Sequence, residues 1–147
     1  FIRKSWHGTN LRGSLRRITA QQAAWSPGRG RKSIWEHVLH AAYWKYIVRR
    51  RITGENRGSF PLSGSNWFPV PKDASEKSWR EAVVLLERTH RELVEVVAGL
   101  SDKQLADRPG GSKLDNAFMI RGVAMHDLYH TGQIQFIKKM LKAGGRL

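Results

Sequence analysis

Two histidines four residues apart, His126 and His130, lie in the stretch Met125-His-Asp-Leu-Tyr-His-Thr-Gly-Gln-Ile134. On a helix, positions i and i+4 share one face, so each imidazole can offer a nitrogen to a single ion, and the spacing recurs in helical metal sites. A pair of core histidines bonded to neighbours such as Tyr129, or an exposed pair, has the same spacing. The surrounding pattern tips the reading. Positions 119, 123, 126, 130, 133, 137 and 140 step by threes and fours like the seam of a bundle helix, and they read Met, Val, His, His, Gln, Ile, Met. Two imidazoles and an amide in apolar layers need partners, because an unpaired buried polar group costs on the order of 1–3 kcal/mol. A metal ion would supply one.

His-Asp-Leu-Tyr-His also approaches the zincin pattern H-E-x-x-H, with Asp127 in the glutamate's place. Aspartate is one methylene shorter than the usual general base, and no His, Asp or Glu follows His130 to complete such a site. A third ligand must come from earlier in the chain. There are no cysteines, which removes thiolate sites and a cysteine nucleophile and leaves histidine and carboxylate as donors. His7, His37, His40 and His90 are the remaining histidines. His90, amid Arg88, Arg91 and Glu92, reads as surface. His37 and His40 are about 60° apart on a helical wheel, so either can border the face formed by Ile34, Ala41 and Val48. Periodicity does not choose between them.

The elements that must position these residues are helical. Leu11, Leu15, Ile18 and Gln22 predict a first helix from Thr9 to Ala24, stopped by Ser26-Pro-Gly. Ser33-Ile-Trp-Glu36 is a capping box opening a second helix that runs to Ile52. Gly54 to Lys72 has no period and reads as a long loop. Asp73 with Glu76 offers the next cap, followed by apolar positions from Trp79 to Val97. After a short turn at Ser101 to Leu105, Asp115 to Ala143 forms the last helix, stopped by Gly144-Gly145. With no sustained alternating pattern anywhere, the expectation is an all-α, single-domain chain over 1–147: a four-helix bundle with a long connection between its second and third helices.

Ser-Ile-Trp-Glu-His-Val-Leu-His40, followed in the second half by His126-x-x-x-His130-x-Gly-Gln-Ile134, resembles the DinB/YfiT family, four-helix bundles with a three-histidine divalent-metal site. The resemblance spans nearly the whole chain. It matches the family's single histidine to His40, leaves His37 at a position usually apolar, and implies His40, His126 and His130 as ligands for nickel or zinc. It further implies a homodimer and, for some members, thiol-dependent transferase or isomerase activity. Three neutral imidazoles leave coordination positions open, as catalytic sites do. The metal would lower the pKa of water or hold a thiol as thiolate, so a metal-dependent transferase or hydrolase acting on a small molecule, with a low-molecular-weight thiol, is the expectation. Gln133 and Tyr129 are candidates to orient the site. Trp44 and Trp67 are candidates for its walls, with His7 of Trp6-His7-Gly8. Six tryptophans serve core and lid packing first and ligand stacking second.

Charge bounds the rest. The net charge is +14, and residues 1–72 hold 14 Lys/Arg against 2 acidic residues while residues 73–147 hold 12 against 10. Such an excess attracts anions, and a non-catalytic stress-response module touching nucleic acid through its basic face is the alternative reading. Basic charge alone gives non-specific affinity without reading sequence, so nucleic acid is not the leading expectation. Arg49-Arg50-Arg51 also suits a solvated helix end. No run nears the roughly 18 apolar residues of a membrane span, and Phe1-Ile-Arg-Lys-Ser-Trp6 lacks a signal-peptide core, so the expected location is cytoplasmic.

Overall fold

Three side-chain caps start three long helices. The computed structural model describes residues 8–145. Thr19 also caps a short helix within the first predicted one, which is broken. Its pieces are α1 (Leu11–Ser14) and α2 (Ala20–Ala24), and the chain between them passes through Arg17 at φ 59°. Thr19 and Gln22 form a capping box that restarts the helix, a local signal stronger than the apolar periodicity running through it. The backbone freed by the break is met from the other helices. Trp79 Nε1–H donates to the Ile18 carbonyl at 2.8 Å, Lys138 Nζ donates to that of Ser14 at 3.0 Å, and Glu76 accepts from Ala20 N–H at 2.7 Å.

Helix α3 (Ile34–Thr53) opens on the expected capping box. Ser33 Oγ accepts from Glu36 N–H at 3.2 Å and the Glu36 carboxylate accepts from Ser33 N–H at 2.9 Å. It closes at Gly54, whose φ of 73° is a left-handed conformation that costs glycine little. Helix α4 (Glu76–Ala98) is capped by Ser75 and not by Asp73, whose carboxylate instead accepts from the hydroxyls of Ser75 and Ser78 and so holds the cap. The short α5 (Asp102–Leu105) and a 3₁₀ turn at Pro109–Gly111 lead to α6 (Asn116–Ala143), where Asp115 accepts from Phe118 N–H at 2.7 Å.

Among the described residues all regular structure is helical. α3 packs on α4 and α6, while α1 lies on α6 and α2 on α3 and α4, so the two short pieces stand where one first helix was expected. Residues 54–75 form the long connection. No helix among the described residues is long and apolar enough to cross a membrane.

The larger apolar core gathers Ile34, Trp35, Leu39, Leu86, Ile134 and Leu141, and a smaller one gathers Val48, Leu93, Met119 and Val123. Along α6 the buried line runs Met119, Val123, Asp127, His130, Ile134, Ile137, Leu141, while His126, Gln133 and Met140 are half-buried beside it. The expected seam kept a 3.5-residue step. A straight helix turns once per 3.6 residues, which carries the buried line from 126 to 127 and from 140 to 141. A polar layer therefore separates the two apolar cores on this helix.

Candidate metal centre

Helix α3 brings His37, His40, Trp44 and Lys45 to this layer, α6 brings His126, Asp127, His130 and Gln133, and the long connection adds Asn66 and Trp67. The imidazoles converge. His126 Nε2 is 3.0 Å from His40 Nε2 and 3.0 Å from His130 Nε2. One nitrogen from each of the three lies within 4.8 Å of the others, a group that could hold a metal ion. Of the four histidines left open by spacing, His40 joins the pair. His7 lies outside the described residues. His90 is half-buried on α4, not plain surface, and is outside the group. His37 is buried behind the cluster, its Nδ1 3.1 Å from His130 Nδ1.

Hydrogen bonds on the far side of two rings set which nitrogen carries the proton. The Asn66 carbonyl can only accept, so His40 Nδ1, 2.8 Å away, is the protonated nitrogen and its Nε2 keeps a lone pair. Gln133 Oε1 lies 2.6 Å from His130 Nδ1 and does the same there, while Gln133 Nε2 donates to Tyr129 Oη at 3.4 Å. His126 Nδ1 is buried and has no hydrogen-bond partner among the described residues. One shared imidazole proton cannot satisfy three converging Nε2 atoms, whereas a cation can take a lone pair from each. The donor set fits a metal ion.

The rings are neutral near pH 7, as ligands must be. Burial, more than any neighbouring charge, pushes His37 and His40 down to about 4 and His126 to about 3, and it lowers His130 as well. The Asn66 carbonyl partly offsets this at His40, and Gln133 at His130. Next to the cluster, Lys45 pairs with Asp127 in a nearly solvent-free ion pair. Burial lowers Lys45, and the Asp127 charge and hydrogen bond oppose that. Thr131 Oγ1 donates to the Asp127 carbonyl at 2.6 Å. With its carboxylate held by Lys45, Asp127 is placed differently from the glutamate of a zincin.

Aromatic rings enclose the imidazoles. Trp67 stacks on His40 at 3.8 Å with 6° between planes. Trp44 stands edge-on to His40 and His126, its Nε1–H donating to Asn66 Oδ1 at 2.9 Å. Tyr129 is exposed, its ring 5.1 Å from that of His130. A cavity of about 790 Å³ adjoins the centre, lined by Lys32, His37, Trp67, Tyr129, Gln133 and Phe136. Two contributors, Asn66 and Lys45, are not singled out in the sequence. Asn66 acts through its backbone and Lys45 through a pairing with Asp127 across two helices, while His37, which periodicity left level with His40, is buried beside His130 and not in the converging group.

The family model described as the DinB superfamily matches residues 4–134, taking in both the His40 segment and the His126–Ile134 segment. Searches of curated proteins and of solved structures find no match. The converging histidines lie on helices that fall wholly or largely within the matched span, and the chain belongs to the DinB superfamily.

Proposed function

We propose that His40, His126 and His130 hold a divalent metal, nickel or zinc, and that the chain is an enzyme activating a thiol or water against an electrophilic small molecule. The observation that carries this reading is the convergence of three Nε2 atoms, two of them left with lone pairs by Asn66 and Gln133. When bound, the metal would supply the Lewis acidity that makes a thiol or water nucleophilic near neutral pH. The chain's own residues hold that arrangement. Asn66 and Gln133 fix ring orientation and proton position, and Trp67 and Trp44 keep water from two faces of the cluster. Three protein ligands leave room for an exchangeable fourth, in keeping with catalysis.

Metal analysis of tag-free full-length chain tests the site. Near-stoichiometric nickel or zinc is expected, lost in both His130→Ala and His40→Ala; absence of metal, or full retention in either variant, overturns it. A panel of thiols and electrophiles then tests the chemistry, with turnover expected only in the loaded protein.

A second reading rests on the basic half. Arg50, Arg51 and Arg57 line two adjoining cavities at one end of α3, of about 620 and 790 Å³, where an anionic partner such as nucleic acid would meet three guanidinium groups. Binding of DNA or RNA that weakens steeply with salt would favour it, and no binding at low ionic strength would end it.

A further inference from the structure

Arg50 and Arg51, in the last turn of α3, and Arg57, in the long connection, each line both of the adjoining cavities at that end of the helix. Among the described residues none of the three forms an ion pair with a carboxylate. Arg49, next to them, takes Glu55 at 2.7 Å and Glu92 at 3.6 Å. Glu55 is the single carboxylate among the described residues lining either cavity, and it is given to Arg49. Arg50 Nη1 donates to the Glu55 carbonyl at 3.1 Å, while its Nε is buried and has no hydrogen-bond partner among the described residues. The C-terminus of α3 supplies only about half a negative charge against these three positive ones.

The smaller cavity adds aromatic walls. Tyr43, Tyr46 and Phe60 line it, the Phe60 ring centre 5.3 Å from that of each tyrosine, and Ser63 and Ser65 contribute hydroxyls. A planar ring finds faces to pack on there and polar groups for its edge. Both cavities, of about 620 and 790 Å³, fall within the roughly 300–1,000 Å³ of small-molecule sites.

We propose that the smaller cavity takes the base of a nucleoside phosphate, whose phosphate oxygens lie on the three guanidinium groups it shares with the larger one. This rests on the anionic partner of the second reading above and commits it to one small molecule. A strand of nucleic acid calls for charges strung along a groove between stacking platforms. Here the guanidinium groups stand together in a wall common to two cavities, where their planar forks suit phosphate oxygens. The metal ligands are elsewhere, since Arg50 lies about 15 Å further along α3 than His40.

Calorimetric titration of the full chain at low salt tests the proposal, with ADP, pyrophosphate and adenosine as probes. One ADP per chain is expected, with pyrophosphate and adenosine each weaker by about tenfold or more. The double variant Arg51→Gln with Arg57→Gln should weaken ADP by about tenfold or more at unchanged helix and metal content, because charge-assisted bonds are lost. No ADP binding, or ADP binding that the double variant leaves intact, overturns the site. Pyrophosphate as tight as ADP overturns the place given to the base. A short single strand of DNA separates this result from the second reading: a strand that binds where ADP does not leaves that reading and ends this proposal, and ADP that binds where the strand does not has the opposite meaning.

Discussion

Helices α4 and α6 are both long and both pack on α3, yet their middles bury different chemistry. α4 buries Trp79, Ala82, Leu86 and Leu93 and turns Glu81, Arg88, Arg91 and Glu95 to solvent. α6 buries Asp127, His130 and Thr131 in its middle and turns Phe118, Met125, Tyr129 and Phe136 outward. α4 packs its middle through apolar side chains, with Trp79 and Glu76 bonded to the backbone around the first helical pieces. The middle of α6 is placed by specific polar partners on α3 and on the long connection, and its outer face is apolar. The two helices also respond differently to damage.

The largest effect should come from Asp127→Ala, which removes the carboxylate that Lys45 pairs with in the interior. Breaking a buried pair from one side costs about 3–5 kcal/mol, measurable by denaturant unfolding. The double variant Lys45→Leu with Asp127→Leu should recover most of that loss, as apolar replacements of buried pairs often do. If the single variant loses under 1 kcal/mol, α6 is not held by this pair. On α4, Leu86→Ala should cost about 2–5 kcal/mol through a cavity alone, with no second-site polar rescue.

A graded effect follows from the buried imidazoles. Unfolded, each takes its proton near 6.5, whereas in the fold His37 and His40 do so near 4 and His126 near 3. Between those values the unfolded chain binds more protons, so stability of metal-free protein should climb from about pH 3 to about 6.5 and then level. Unfolding curves across that range check it. A flat profile would mean that the rings are not desolvated. Smaller still, Gln133→Ala should weaken metal binding by about 10- to 100-fold while leaving α4 untouched, because it frees the His130 proton from its acceptor. Titration with a competing chelator reads that change.

What could be read in advance follows the same division. Ser33 and Glu36 lie close in sequence and announce α3 unaided, and Gly144 marks the end of α6. The histidine pair was visible from its spacing, and the resemblance to a known family pointed to His40. The break at Arg17 was not anticipated, although the Thr19–Gln22 cap was in plain view, because apolar periodicity ran through it. Lys45 with Asp127 could not be seen, since nothing local marks which buried charge on one helix will meet which on another. Asn66 was hidden for a deeper reason: it contributes a carbonyl, which every residue has.

Asn66 also sets what the long connection can tolerate. Its φ of 65° turns its carbonyl to His40 while its side-chain oxygen accepts from Trp44, so both ends of one residue are fastened to α3. Between Gly54 and Gly58 the same connection is exposed. Loop-closure entropy rises by only about 0.6 kcal/mol for each doubling of length. The connection thus has an exposed span, tied to α3 through Glu55, and a span anchored at the site by Asn66. Extra residues inserted beside Gly58 should be carried at little cost, whereas a single insertion between Asn66 and Phe68 would shift the Trp67 ring off His40 and detach the connection from the site.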